Sequence, residues 1–539
     1  MIFSWLQLKA KQYPLIFCIV SSLFWLVGWP PSPFAPVLFI CLIPLLLVLL
    51  EIEYFKKIIL YSFITFFING IITMHWVSNV EMDLKGSVVL YLFGYIFMAF
   101  LMSLPITVFA WTKRRIKSPV AWIALPVYWI TYEYLQGHWD LAFMWLHLGL
   151  GLSCYPKWIQ FYEITGRLGG TFLIISINII FYLLLKYWCD QRRKKILFCT
   201  LFLIIGIVSI TNLLLTNSYQ LSTNKAKIAI VQGNMNPYEK VNEQVFEKQF
   251  TIFEELVLSV KEQKPDMIVC SEGFFKGTDN NPFVINEIDS NATIKKLKEL
   301  SRKVNTAILT GIITYKLYYT QIAPTPSAQL VSKGIYYDAF NAAMLISYDQ
   351  PIQVYTKSKL VPFMERVPFL EKFSFIETLH LSLNRMSGSY GRTDETSVFT
   401  YKNLKIAPVI CMESLFPDYV KKFVEKDANI IAIMTDDGWS GNSNGPKQHA
   451  SFAVPLAIEM RKPIARSANT GISLFLASSG NIIHSTELNE QTIIVEKLTL
   501  NTRTTFFVKH GELIGLMSIG ISAVFFVITF LKGKNISVK

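Results

Sequence analysis

Charge is scarce in this 539-residue chain. Asp, Glu, Lys and Arg make up 17% of it, against about a quarter in an ordinary soluble domain, so a plain cytosolic enzyme, a disordered chain and a histone-like basic protein all fit poorly. Cysteine is neither abundant nor regularly spaced. The seven residues, at 18, 41, 154, 189, 199, 270 and 411, make no disulfide framework. CxxC, HExxH and clustered histidines are missing, which removes the usual zinc frames, and neither GxGxxG nor a Walker loop is present to cradle phosphate. No metal and no cofactor is therefore expected. Internal repeats and low-complexity linkers are also lacking.

What the chain has in excess is apolar residues, 52% of the total. Runs long enough to cross a bilayer need about 20 residues, and seven precede residue 217, at about 13–29, 33–50, 57–77, 87–111, 118–135, 166–187 and 196–216. An eighth follows at about 511–531. The first runs into WPPSPFAP without a small-residue cleavage site, so it reads as a retained helix rather than a signal peptide. Trp25, Trp29, Trp139 and Trp145 fit interfacial aromatic belts, and His147 fits a histidine packed in a helix bundle.

The net charge of +13 is explained by topology rather than by a polyanionic partner. Basic residues gather on alternate flanks: Lys9 and Lys11, Lys56 and Lys57, Lys113 to Lys117, Lys186 to Lys195, then Lys532, Lys534 and Lys539. The opposite short connections hold only Lys85, Lys157 and Arg167, mixed with acids. Because basic loops stay cytoplasmic, both termini are expected inside and the segment 217–510 outside. No nucleic acid is expected as a partner. The implied division is a seven-helix membrane region 1–216, an external domain 217–510, and a last helix with a short tail, 511–539.

The external segment has a different pattern. Short β-branched runs (KIAIVQGN, DMIVCSEG, TAILTGIIT, AMLISY, LKIAPVICMES, ANIIAIMTDDG, ISLFLAS, TIIVEKL) alternate with amphipathic stretches at 243–263 and 291–304. The first stretch puts Phe246, Phe250, Phe253, Leu256 and Val257 at helical spacing. Strands interleaved with helices predict a layered α/β or α+β domain. Three ionisable residues end apolar runs there: Glu272 after MIVCS, Lys357 after IQVYT and Cys411 after IAPVI. Strand carboxyl ends converge on one crevice in such domains, where a carboxylate base, an ammonium and a thiol make a coherent nucleophilic set. Taken singly, each has a plainer reading: a buried apolar cysteine, a solvated Glu or Lys. Cys270, alternating with Ile268, reads as packing alone.

The order Glu, Lys, Cys resembles the carbon–nitrogen hydrolase (nitrilase) superfamily, and more closely its membrane-embedded branch, the apolipoprotein N-acyltransferases. The resemblance is carried by VQGN at 231–234, SEG around Glu272, KSKLVPFMERVP at 357–368, ICMESLFP at 410–417, TDDGWSGNSNGPKQH at 435–449 and ARSANTGIS at 465–473. In the apolar region GWPP at 28–31, MWLHLG at 144–149 and EITGRLGG at 163–170 also match.

This resemblance implies a polytopic α-helical membrane protein of about eight helices carrying an external αββα sandwich. It further implies Glu272, Lys357 and Cys411 as catalytic triad, with Glu365, Glu413 and Met412 in support. Departures from the pattern are Met412, where a tyrosine is usual, and Val241, where an aromatic is usual and Tyr238 is nearest.

The implied activity is ping-pong acyl transfer through a Cys thioester, the last step of bacterial lipoprotein maturation. A phospholipid would be the acyl donor and the α-amine of a diacylated apolipoprotein the acceptor, in the bacterial cytoplasmic (inner) membrane, with the domain on the periplasmic side and the protein a monomer. A membrane-tethered amidase with water as acceptor, and a non-enzymatic lipid or lipoprotein binder, are the rival readings. Stretches 318–333 and 379–393 are candidate mobile arms.

Overall fold

Backbone inside a bilayer must satisfy its own hydrogen bonds, so the apolar runs are expected to be helical, and where proline interrupts them some other group has to take up the freed N–H and C=O. The computed structural model describes residues 2–80, 84–217, 223–239, 241–369 and 389–534. The chain forms two compact units, one of Met1–Trp139, Met144–Tyr219 and His510–Lys539, the other of Asp140–Phe143 and Gln220–Lys509.

In the first unit every expected run is helical, but not every run is one straight span. Among the described residues five helices are long and apolar enough to cross a membrane: Phe55–Thr73, Tyr91–Arg115, Arg167–Lys186, Gln191–Thr216 and Leu513–Lys532. Three of the expected runs are broken, each at a proline. Helix Pro14–Gly28 follows Ile2–Gln12 across a 107° bend, and the two count together as a sixth span at most. The run at 33–50 is a 3-10 turn, Ala35–Phe39, followed by the nine-residue helix Ile43–Glu51, with a proline in the first turn of each. The run at 118–135 starts as the 3-10 turn Pro119–Ile123 before helix Ala124–Gln136. Proline removes a donor and clashes with the preceding turn, so it starts helices and breaks them.

Buried polar side chains repair two of the interruptions. Asn178 Oδ1 accepts from Leu42 N at 2.8 Å while its Nδ2 donates to Leu38 O at 2.8 Å, joining the two halves of the broken second run. Glu133 accepts from Leu148 N at 2.6 Å, Thr171 Oγ1 at 2.7 Å and Trp129 Nε1 at 3.1 Å, holding the irregular segment that carries His147. That histidine is buried with Nε2 3.4 Å from Gln136 Oε1, as a packed bundle residue should be. The interfacial reading of the tryptophans fails for three of four. Trp25 and Trp29, one turn apart on a single helix face, are each 1% exposed and stack at 5.7 Å, and Trp25 also meets Phe66 and Trp129. Trp145 is buried against Trp76. Only Trp139 of the four is exposed.

The second unit holds thirteen strands among its described residues: β1 Lys225–Gln232, β2 Met267–Val269, β3 Ala307–Tyr319, β4 Gln329–Ser332, β5 Ile335–Ile346, β6 Gln353–Thr356, β7 Phe399–Tyr401, β8 Leu404–Ile410, β9 Ile430–Thr435, β10 Ile464–Ala468, β11 Leu474–Leu476, β12 Ile482–Ser485 and β13 Thr492–Thr499. One sheet runs β13-β1-β2-β3-β5-β4 with β6 also on β5, the other β12-β11-β10-β9-β8-β7.

Each sheet has a parallel centre: β1 with β2 and β2 with β3, and β8 with β9 and β9 with β10. Parallel neighbours need a crossover. Helices Glu243–Ser259 and Ala292–Val304 supply it in the first sheet, Pro417–Glu425 and Gly445–Met460 in the second. The expected apolar stripe is buried as spaced, with Phe246, Phe250, Phe253 and Val257 packed alongside Ile294, Leu297 and Leu300 on Ile268 and Ile308. Sheet meets sheet at β1 and β10, where Ser467 Oγ donates to Val231 O at 2.8 Å and Gln232 Oε1 accepts from Ser473 Oγ and Thr486 Oγ1, each at 2.7 Å.

The 318–333 stretch is a loop, 320–328, between strand ends. β3 and β5 pair out to Tyr319 opposite Ile335 and β4 adds to their edge, although Tyr319, Ile322, Leu330 and Val331 are exposed. Of the 379–393 stretch, residues 379–388 lie outside the described residues. Phe253, at 0% exposure against the rings of Phe250, Phe274 and Phe275, anchors the first helical layer. Truncation to alanine is expected to cost about 3–5 kcal/mol and to lower the melting temperature of the detergent-purified protein by on the order of 10 °C. A change of only a degree or two in a thermal scan would mean that this layer does not limit stability.

Candidate active site

Glu272 is placed by a close backbone approach. β2 ends at Val269, Cys270 N still bonds to Leu309 O at 2.8 Å, and Gly311 N donates to Ser271 O at 3.1 Å, so the chain runs tight against β3. A Cβ at position 311 would lie 2.6 Å from Glu272 Cα. Glycine there lets the carboxylate leave the sheet at the correct depth. Its Oε1 accepts from Lys357 Nζ at 2.7 Å and Asn341 Nδ2 at 2.7 Å, and its Oε2 from Asp436 N at 3.1 Å.

Lys357 follows β6, its N–H bonded to Asn341 O at 2.8 Å, and its side chain is 1% exposed. The ammonium bridges Glu272 and Glu365, the latter at 2.8 Å. Glu365 is itself fixed: Oε2 accepts from Val361 N at 2.8 Å and Oε1 from Asn341 Nδ2 at 3.0 Å. Burial pushes the ammonium down, but the charges of Glu272, Glu365 and Cys411 outweigh it and hold the group well above the usual lysine range. Lys357 is therefore a permanent cation and a donor, not a base.

Cys411 comes directly after β8, at φ +51°, a left-handed conformation that non-glycine residues adopt at a cost of order 1–3 kcal/mol. It opens the 3-10 turn Cys411–Leu415. The turn is held by Glu413, whose Oε2 accepts from Ile410 N at 2.8 Å and whose Oε1 accepts from Tyr355 OH at 2.6 Å, Ser358 N at 2.7 Å and Lys359 N at 3.3 Å. One buried carboxylate thus ties the cysteine's turn to the lysine's loop. Burial pushes Glu413 up to about 6, against its hydrogen bonds. Burial first, then the Glu272 charge, hold the Cys411 thiol well above its ordinary value, with Asp437 adding to the effect and Lys357 and a hydrogen bond from Thr435 opposing it. These influences favour the neutral thiol over the thiolate.

All of the expected site residues are present in this unit, but they are not ends of neighbouring strands. Glu272 and Lys357 leave the first sheet from β2 and β6, which have β3 and β5 between them, and Cys411 leaves the second sheet. The crevice belongs to the sandwich, and strand adjacency within one sheet does not form it. Met412 is buried in the turn that Cys411 opens. Val241 is half-buried against the helical core, and Tyr238 sits edge-on to Trp439 at 5.0 Å. Cys270 is fully buried, as expected of a packing residue.

Two features were not anticipated. Asn341 bridges both carboxylates, and its signal is one amide inside the apolar run of β5. Asp437, bonded to His449 Nδ1 at 2.8 Å and Arg466 Nη2 at 2.7 Å, forms an ion cluster behind the cysteine. Its signal lay in the 435–449 and 465–473 motifs, noted without roles.

A carbon–nitrogen hydrolase family model matches residues 227–506, which spans this whole site. The chain belongs to the carbon–nitrogen hydrolase family. A second model, described as an apolipoprotein N-acyltransferase N-terminal domain, matches residues 21–180. Among curated proteins, the Chlorobaculum tepidum apolipoprotein N-acyltransferase is 28% identical over 511 residues, 92% of each chain. The Pasteurella multocida protein of that name is 25% identical over 521 residues, covering 94% of this chain and 93% of its own. Among solved structures, Saccharomyces cerevisiae Nit3, a nitrilase-superfamily member, overlaps 56% of this chain and 96% of its own at a TM-score of 0.36 and 15% identity.

In this carbon–nitrogen hydrolase the electrostatics of Cys411 have a direct test. Alkylation by iodoacetamide follows the thiolate fraction, so it should be slow near neutrality and rise with pH. Glu272→Gln removes a neighbouring negative charge that holds the thiol up, so the alkylation curve should move to lower pH. A move to higher pH would show that Glu272 does not act on the thiol through its charge.

Proposed function

We propose that the chain is a membrane N-acyltransferase that transfers a fatty acyl chain from a phospholipid to the α-amine of the S-diacylglyceryl cysteine at the start of an apolipoprotein. What carries the reading is one chain that matches both the N-terminal domain model of apolipoprotein N-acyltransferases and the carbon–nitrogen hydrolase model. The Glu272, Lys357 and Cys411 arrangement alone would suit a hydrolase equally well. Apolar helices in the same chain suit two substrates whose acyl chains stay in hydrocarbon.

The chemistry follows from the protonation states. Glu272 takes the Cys411 Sγ proton as the sulfur attacks the ester carbonyl carbon, and the oxyanion meets the Lys357 ammonium and the Met412 backbone N–H. Collapse breaks the C–O bond, and the proton held by Glu272 goes to the departing glycerol oxygen, leaving lysophospholipid and a Cys411 thioester. The neutral amine of the acceptor then attacks the thioester. Glu272 removes its proton and returns it to the leaving thiolate, which restores the resting thiol. Glu365 and Asn341 hold Lys357 and Glu272 in place throughout, and Glu413 fixes the geometry of the cysteine turn. The enzyme acts as a monomer in the bacterial inner membrane, with both termini cytoplasmic and the catalytic unit on the periplasmic side, in keeping with the basic flanks of the apolar runs.

Intact mass spectrometry of the detergent-purified protein tests the first half. Incubation with phospholipid should add one acyl mass at Cys411, absent in Cys411→Ala, and a diacylated lipopeptide should discharge it while gaining a third chain. Discharge by water alone would favour an amidase-like hydrolase, and no adduct on folded protein would remove Cys411 as nucleophile. Topology is tested separately with reporter fusions: one after residue 217 should be periplasmic and one after residue 539 cytoplasmic, and a cytoplasmic signal from the first would put the site in the wrong compartment for this reaction.

A further inference from the structure

Beside Glu272, on the side of the β1 and β9 loops, lies a cavity of about 20 Å³ lined by Ser271, Glu272, Asp436, Asn469, Lys276 and Met235, among others. On the order of 10–15 Å³ holds one water, so it has room for a group the size of an ammonium. Its chemistry is uneven. Ser271 Oγ is fully buried and makes no hydrogen bond. The Asp436 carboxylate receives Gly438 N at 3.0 Å and a single Asn469 N–H group 3.3 Å from each oxygen, fewer donors than a buried carboxylate can accept. Asn469 is locked by Met235, donating to its carbonyl at 2.7 Å and accepting from its N–H at 2.9 Å. Lys276 Nζ is directed to Pro237 O at 3.1 Å. Asp436 is also the residue whose backbone N–H holds Glu272 Oε2. A free acceptor position, an under-served carboxylate and the catalytic carboxylate therefore share one small space, which calls for a compact group rich in N–H donors.

We propose that this cavity is the seat of the acceptor's α-amine: Asp436 and Ser271 hold a primary ammonium, and Asp436 takes its first proton so that the neutral amine is delivered beside Glu272. The inference rests on the acyltransferase reading and names its second-substrate site. The step balances: R–NH3+ and the Asp436 carboxylate become R–NH2 and a carboxylic acid, which loses its proton to solvent after product leaves. The pair is well matched. Burial, partly offset by Gly438 N and reinforced by the Glu272 charge, pushes Asp436 up to about 7, close to the 7.7–8.0 or so of an α-amine. A raised carboxyl is a better acceptor for the ammonium's proton than an ordinary aspartate. The charged groups that act on Asp436 are Glu272 and Lys276.

The test separates the two half-reactions in full-length protein in detergent. Wild type and Asp436→Asn are acylated with phospholipid, then discharged either with a diacylated lipopeptide bearing a free N-terminal ammonium or with hydroxylamine, which is already neutral at pH 7. In Asp436→Asn the Cys411 thioester should form at near the wild-type rate. Lipopeptide discharge should slow on the order of 10- to 100-fold, with a raised KM, while hydroxylamine discharge is unchanged.

Ser271→Ala, which leaves the Asp436 loop intact, should raise the lipopeptide KM by a smaller factor in the same direction. Equal slowing of hydroxylamine and lipopeptide would reduce Asp436 to a support for Glu272 and overturn the proposal, as would unchanged lipopeptide discharge in both variants. Failure of wild type to form the thioester, or to pass it to lipopeptide, would instead remove the acyltransferase reading and this site with it.

Discussion

A lysine ammonium buried to 1% exposure stays charged only if anions surround it, and that requirement organises the catalytic unit. Lys357 is satisfied by Glu272 and Glu365 at 2.7 and 2.8 Å, and Asn341 donates to both carboxylates, so three chain segments are fixed by one cation. Loss of the lysine would leave two carboxylates side by side without a cation, an effect of about 3–5 kcal/mol. The same arrangement sets the chemistry. In the proposed reaction the cation would meet developing negative charge, and the carboxylate it orients would move protons. Structure and reactivity here follow from a single electrostatic constraint.

A second constraint holds the nucleophile. A left-handed Cys411 at the end of β8 persists only where its surroundings over-determine it, and Glu413 does this by collecting Ile410 N, Ser358 N and Tyr355 OH on one carboxylate. Because Ile410 belongs to the second sheet and Ser358 follows β6 of the first, Glu413 ties the turn of Cys411 to the loop of Lys357. Three carboxylates of one site thus differ in duty. Glu365 balances charge on Lys357, Glu413 receives backbone N–H groups and sets geometry, and Glu272 does both while facing the thiol.

These duties were only partly legible in the sequence. Periodicity marked helices Glu243–Ser259 and Ala292–Val304 and most long strands, because burying one face is a local demand that leaves a local pattern. Residues Glu272, Lys357 and Cys411 stood out because each ends an apolar run, and a family resemblance set them together. Their true juxtaposition, across two stacked sheets, leaves no local trace, since it depends on which strands pair at long range. Asn341 and Asp437 went unassigned for a related reason: a polar residue in a buried strand signals a need for partners without naming them. In the membrane region, hydropathy located all the apolar runs but counted broken ones as whole, because an average over about 20 residues does not register where a proline interrupts the hydrogen-bond ladder. It also placed Trp25 and Trp29 at an interface, though a tryptophan one turn from another on the same face can equally fill a bundle.

The interruptions in the membrane region obey the rule that governs the active site. Where proline frees backbone groups at Leu38 and Leu42, Asn178 supplies one donor and one acceptor, and where the chain leaves helical geometry at Leu148, Glu133 takes the exposed N–H. Each is a buried polar group whose valences are filled by backbone, as Glu413 is in the catalytic unit. In low-dielectric surroundings an unfilled valence is costly, so fully served groups report on architecture. Under-served ones, such as Ser271 Oγ and the Asp436 carboxylate, are the exceptions that architecture does not explain, and for a buried group whose own fold leaves it short of partners a ligand is the remaining source of satisfaction.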